Sequence, residues 1–260
     1  MISLKPKPAI KLKGFELRYL CVEPFLPTLY QMVRKRLLSI ALQSNDRTRI
    51  LDVGGRKSHY TIGVPADVMI TDVPRTADIQ HQLHLGINID IISELYARRS
   101  NITAVQYDDM TKSALTSEQF DCVVAVEVLE HVDRDAAFIS EVHRVLRSDG
   151  VFLMTTPNGQ FVKNRNPDHK RHYTREHLSE LLTSTFGSAD VDVEYAVKSG
   201  LFYNLASRSW SLRRPVYTGL AMIGALINSV QSGSEGLRGQ CFGTQELFAV
   251  ARKQANLGGQ

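Results

Sequence analysis

Short apolar runs bounded by polar residues or glycine recur from residue 49 onward, alternating with stretches of helical periodicity. Ile50-Leu51 carries a first strand over Arg49–Val53, and Val68-Met69-Ile70 a second over Val68–Asp72. Gly63 and Pro65 leave no room between them for a long helix. A helical stretch around Ile87–Arg99 precedes a third strand, Thr103–Tyr107. The fourth, DCVVAVE from Asp121, is apolar at every interior position, the pattern of a parallel strand buried on both faces. Asp133 is placed to cap a helix through Arg147, whose Phe138, Val142, Val145 and Leu146 form an apolar stripe, with Gly150 at the C′ position. VFLMTT follows as a fifth strand. Thr174 caps a further helix through about Leu182, Val191–Val197 is a sixth strand and Glu246–Arg252 the last. The alternation predicts an α/β fold: a doubly wound, mostly parallel seven-stranded sheet, Rossmann-like in plan.

Two stretches flank or interrupt this plan. Residues 1–23 read as an extended Lys/Pro-rich lead in which Pro6 and Pro8 oppose helix, and Pro27–Gln43 as an amphipathic helix that packs on the domain or lids its pocket. Before the last strand, residues 201–243 read as a helical insertion, buried or covering the pocket, with SGSEGLRG as a flexible loop. Its apolar run PVYTGLAMIGALINSV is 16 residues long, short of the roughly 20 needed to span a bilayer. Arg208, Arg213, Arg214 and Trp210 beside it permit shallow peripheral membrane contact. The chain thus divides into a basic N-terminal extension and helix (1–48), a core (49–200), the insertion or lid (201–243), and the last strand and tail (244–260).

Composition narrows the class. Hydrophobic content of 43% with 22% charged residues is that of an ordinary soluble globular protein. Cys21, Cys122 and Cys241 are scattered and odd in number, against a disulfide framework or zinc cluster. The opening MISLKPKPAIKLKG has no apolar core and so no secretory signal, which points to the cytoplasm. Residues 1–49 hold ten Lys/Arg against three acids, whereas the rest of the chain is slightly acidic. A basic arm of this kind suits an anionic partner or simple solvation.

The candidate chemistry gathers at predicted strand ends. Asp52 and the Gly54-Gly55 pair follow the first strand, and Asp72 ends the second. This is how α/β proteins hold a nucleoside: glycines admit the backbone to the ligand, and the later acid accepts ribose hydroxyls. Tyr107-Asp108-Asp109-Met110 ends the third strand and Glu127-Val128-Leu129-Glu130-His131 the fourth, on the edge where open α/β sheets bind ligands.

ILDVGG, ITDV, YDDM and above all VVAVEVLEHVDRDAAFISEVHRVLRSDGVFLMTTPNG resemble class I S-adenosylmethionine-dependent methyltransferases, in the small-molecule, type 11-like branch. The resemblance covers roughly residues 48–186, with the late ELFAVAR similar to the last strand of that fold. It implies an enzyme that uses S-adenosyl-L-methionine as cofactor. Asp52, Gly54 and Gly55 would border its methionine part, and Asp72 its ribose, with Val73 beside the adenine. Asp108 or Asp109, with Met110, would hold the adenine, and Glu127 and Val128 would line the cofactor. Arg56 and Ser58 stand where family members usually have glycine.

A hydroxyl acceptor must lose a proton, and His131, with Glu130 and His169 as further catalytic candidates, is the natural base. The expected reaction is methylation of a small molecule, at oxygen, in a sugar, glycolipid or secondary metabolite. Alternatives are an RNA methyltransferase using the basic arm, or a non-catalytic methyltransferase-like binding protein. No metal is assigned. Even so, E-x-x-E-H with the later D-H-K also resembles small-RNA 2′-O-methyltransferases, which use a metal there. The run Arg165, His169, Lys170, Arg171, His172, Arg175 could receive an anionic acceptor or be a solvated loop. A nucleic-acid partner is disfavoured.

Overall fold

The computed structural model describes residues 11–44, 46–74, 86–208, 210–211, 213–233 and 243–255. Seven strands form one sheet: β1 (Thr48–Val53), β2 (Ala66–Asp72), β3 (Ile102–Tyr107), β4 (Phe120–Val126), β5 (Leu146–Pro157), β6 (Val191–Lys198) and β7 (Thr244–Arg252). Their order is β3-β2-β1-β4-β5-β7-β6. β7 alone runs antiparallel, pairing Thr155 with Phe248 on one side and Tyr195 with Leu247 on the other. Each predicted strand is present within a few residues of its expected bounds. Because β4 is buried on both faces, alternate residues feed separate cores. Val123 packs with Leu51, Phe138 and Phe152 on one face, and Val124 with Ile50, Leu37 and Leu153 on the other. The strand order reverses between β1 and β4, which opens a crevice at their carboxyl ends.

The helices are α1 (Gly14–Val22), α2 (Thr28–Gln43), α3 (Ile89–Arg98), α4 (Asp135–Val145), α5 (Arg175–Phe186), α6 (Leu201–Ala206) and α7 (Pro215–Ser232). α1 corrects the extended reading of residues 1–23, part of which (1–10) lies outside the described residues. Its first turn is closed by Glu16, fully buried, which accepts from Lys13 N (2.8 Å) and from Ser100 N (3.0 Å) beyond α3. Parallel strands need a crossover, usually a helix. Here β1 and β2 are joined with only a 3-10 turn, Gly55–Lys57, and α1 and α2 buttress that connection from outside. Tyr19 donates to His59 O (2.6 Å), and the buried Arg34 donates to Tyr60 O and Ile62 O.

Two cap assignments also change. α4 begins at Asp135, with Arg134 at the N-cap, because Asp135 carries the first-turn role and accepts from Ala136 N (2.8 Å). Asp133 instead reaches toward Lys170 (3.8 Å). Gly150 lies within β5, where a Cβ would come within 2.8 Å of Arg147 O, so it is glycine for close approach and not as a helix end. Thr174 does cap α5, accepting from His177 N at 3.2 Å. Most of the SGSEGLRG loop lies outside the described residues.

Candidate functional site

The loop after β1 is shaped by contacts that exclude side chains. Gly54 adopts φ 69°, and a Cβ there would come within 2.8 Å of Val128 Cγ2. A Cβ on Gly55 would overlap the Asp52 carboxyl group. That carboxylate is wholly buried behind the loop, accepting from Tyr60 Oη (2.9 Å) and Thr61 Oγ1 (3.1 Å). Burial pushes its pKa up to about 6, against the lowering pull of these hydrogen bonds and of Arg99. Ser58 fastens the loop by donating to Gly55 O (2.7 Å).

A cavity of about 580 Å³ opens at the carboxyl ends of β1 to β4. Gly54, Asp72, Val73, Asp108, Asp109, Met110, Glu127, Val128 and His131 all line it, and α2 adds Tyr30. Arg56 also lines it, its Nε 3.9 Å from Asp72 Oδ2. Asp108 accepts from Ala114 N (3.0 Å) through Oδ1, while its buried Oδ2 has no hydrogen-bond partner among the described residues. Asp109 Oδ1 accepts from Thr111 N and Oγ1. The size, the glycine cradle and the orphaned Asp108 oxygen fit an adenosyl ligand.

At the β4 edge three carboxyl groups converge. Glu127 holds φ 55°, an uncommon conformation for a side-chain-bearing residue. It accepts from Thr155 Oγ1 (3.1 Å) and shares a hydrogen bond with Glu246 of β7. Burial raises its pKa to about 7, and raises those of Glu130 and Glu246 well above the carboxylate range, with mutual repulsion adding to both. Glu130 accepts from Thr156 Oγ1 (3.1 Å), but its other oxygen is buried without a hydrogen-bond partner among the described residues.

The segment after β5 is strapped onto this edge, Lys170 N donating to Glu130 O at 2.7 Å. It brings Asp168 Oδ2 within 2.7 Å of His131 Nδ1. His172 Nδ1 meets Val162 O (3.0 Å) and so carries the proton; its Nε2 then accepts from His169 Nδ1 (2.8 Å). The His169 Nε2 lone pair is left available. Burial, then His131 and His172, push the His169 pKa down to about 4, so its ring is neutral near pH 7. Glu130, His131 and His169 offer ligand atoms within 4.8 Å of one another, a carboxylate–imidazole set that suits a divalent cation.

A family model described as "Methyltransferase domain" matches residues 78–154. A probable S-adenosylmethionine-dependent methyltransferase of Mycolicibacterium smegmatis is 34% identical over 41% of this chain and 43% of its own. A ubiquinone biosynthesis O-methyltransferase of Dinoroseobacter shibae is 29% identical over 46% of this chain and 53% of its own. A crystal structure of a SAM-dependent methyltransferase from Archaeoglobus fulgidus superposes with a TM-score of 0.55, at 20% identity, over 86% of this chain and 94% of that one. These comparisons support a class I S-adenosylmethionine-dependent methyltransferase of the type 11 branch. The chain spans about half the length of the curated relatives it matches.

Four of the sequence-predicted site residues do not line the cavity. Asp52 and Gly55 lie behind the loop and shape it. Glu130 is buried beneath the β4 turn, and His169 packs edge-on against His131, with ring centroids 4.6 Å apart. The basic run after β5 is internally engaged: Lys170 faces Asp133, Arg171 pairs with Asp135 (2.6 Å), and Arg175 donates to Val193 O (2.7 Å). These contacts brace the loop after β5. Among the described residues, none of 201–233 lines the cavity. Sequence reasoning missed Asp168, although D-H-K stood in view, and Glu246, which looked like an ordinary strand residue.

Proposed function

We propose that this chain transfers a methyl group from S-adenosylmethionine to a hydroxyl of a small-molecule acceptor, with His131 as general base and Asp168 as its positioning partner. The observation that carries this is the 2.7 Å approach of Asp168 Oδ2 to His131 Nδ1 on the cavity wall. A carboxylate there would favour the Nδ1–H tautomer through its charge, leaving Nε2 to take the acceptor proton, and would stabilise the imidazolium that forms. When bound, the cofactor supplies an electrophilic methyl group on its sulfonium. Asp72 would accept its ribose hydroxyls, Asp108 or Asp109 with Met110 and Val73 would hold adenine, and the Gly54 turn would admit the methionine part. Much of the acceleration then comes from aligning the acceptor and excluding water. Acceptors in keeping with the fold are a sugar, glycolipid or secondary metabolite. Likeness to a ubiquinone biosynthesis O-methyltransferase is in keeping with methylation at oxygen.

A screen of such acceptors with labelled cofactor identifies the substrate. On it, Asp168→Asn is expected to lower kcat by roughly ten- to a thousandfold with S-adenosylhomocysteine affinity unchanged. An unchanged kcat removes Asp168 from the mechanism.

A second reading is favoured by the approach of Glu130, His131 and His169 ligand atoms to within 4.8 Å of one another, with one Glu130 oxygen buried and without a hydrogen-bond partner among the described residues. These residues would hold a divalent cation that polarises the acceptor oxygen. Binding of manganese, read by its paramagnetic resonance and lost in Glu130→Gln, supports that reading. Activity undiminished by thorough chelation removes it.

A further inference from the structure

Helix α7 is amphipathic in reverse. The positions it turns to the protein are small or polar: Ala221, Gly224, Ala225, Asn228 and Ser232 are buried. Asn228 accepts from Thr28 Oγ1 (2.6 Å) and donates to Lys198 O (2.7 Å), and Ser232 Oγ accepts from Lys198 N (3.0 Å). A Cβ on Gly224 would come within 2.7 Å of Leu205, so α6 and α7 cross at close quarters. The large side chains point outward: Val216 is 71% exposed, Ile223 54% and Val230 77%, with Leu220 and Leu226 between them. At helical spacing these five share one face. With exposed Tyr217 and Trp210 they form an apolar surface on the order of 500 Å².

Charge marks the occupant. From Ser199 to Gly233 the sequence carries three arginines and no acid. Arg208, Arg213 and Arg214 are all exposed at the N-terminal end of the stripe, Arg208 lying over the Tyr217 ring at 5.9 Å. We propose that α7 and the turn before it dock this protein on an anionic lipid bilayer. The stripe would enter the boundary between headgroups and acyl chains, and the arginines would meet lipid phosphates. A second copy of the chain fits less well. An isologous contact would set the same all-positive segment against itself, and the stripe is smaller than the roughly 800 Å² per partner of a stable dimer.

The test is co-sedimentation of the full chain with vesicles of phosphatidylcholine alone or mixed equally with phosphatidylglycerol. Mixed vesicles are expected to bind at least tenfold more tightly. Replacing Arg208, Arg213 and Arg214 together by alanine is expected to cost roughly a hundredfold on them, and I223D with V230D should abolish binding. Because these side chains are exposed, thermal unfolding of each variant should match the parent, which separates lost docking from lost folding. Equal binding to both vesicle types, no binding to either, or undiminished binding by I223D/V230D would overturn the proposal. So would a dimer in sedimentation equilibrium that the same double variant converts to monomer.

Discussion

Glu127→Gln tests the acid cluster through its effect on folding, independently of any substrate. The Glu127 carboxyl shares a hydrogen bond with Glu246 and accepts another from Thr155, and burial lifts its pKa from 4.5 to about 7. A carboxyl whose folded-state pKa exceeds its unfolded value holds a proton that the unfolded chain has released. Its stabilising contribution is therefore whole below about pH 4.5 and lost as pH rises through about 7. That gap corresponds to roughly 3 kcal/mol at most, reduced because Glu127 borders the cavity and the titration belongs to the pair. Glutamine keeps the shape of the protonated acid and cannot titrate. Between pH 5 and pH 8 the parent should lose about 2 kcal/mol more than E127Q in urea unfolding of the ligand-free protein. Asp52, raised to about 6, titrates in the same sense, whereas His59, His143 and His169 are lowered and titrate in the opposite one. All four are common to both proteins and cancel in the difference. A difference of zero, or a larger loss in E127Q, would show that the two carboxyls do not share a proton.

Other perturbations address separate parts of the site. Asp72→Ala should abolish S-adenosylmethionine binding in calorimetry, whereas Arg56→Gly, which removes the cation 3.9 Å from Asp72, should leave affinity intact or a few-fold tighter; normal binding by Asp72→Ala would show that this is not the ribose site. Gly55→Ala drives a methyl group into the Asp52 carboxyl and should cost about 2 kcal/mol of stability together with cofactor affinity. A melting temperature and affinity equal to the parent's would mean the loop can shift. Glu16→Ala leaves the backbone N–H groups of Lys13 and Ser100 without their acceptor and should cost about 2 to 4 kcal/mol, read by urea unfolding. An effect below about 0.5 kcal/mol would show that α1 does not hold the β1–β2 connection.

The parts of this fold that could be read from sequence are those whose burial follows apolar periodicity. β4 is apolar throughout because both faces are covered, and α4 shows its Phe138, Val142 and Val145 stripe. α1 escaped because the residues it buries are Glu16 and Tyr19, and a pattern of apolar positions does not register a helix docked by a carboxylate. α7 shows the opposite ambiguity. Its leucine, isoleucine and valine spacing is plainly helical, but periodicity does not say which face turns inward. Here hydrogen bonds from Thr28 and Lys198 fix the small and polar face against the protein.

The same distinction explains the site. Residues that follow a strand inherit a defined place, so Gly54, Asp72, Asp108, Asp109, Glu127 and His131 reach the cavity from sequence position alone. What strand ends do not reveal is the direction of each side chain. Asp52, the penultimate residue of β1, faces away from the cavity into Tyr60 and Thr61 and acts on the loop from behind. Nor do they reveal partners that arrive from elsewhere. Asp168 comes on a loop strapped to Glu130 O, and Glu246 through the antiparallel entry of β7 beside β5. Both bring carboxyl groups onto residues already placed by β4, and in the proposed mechanism this convergence would let the cofactor edge also move a proton. Asp168→Asn and Glu127→Gln therefore probe contributions that the strand-end motifs alone do not contain.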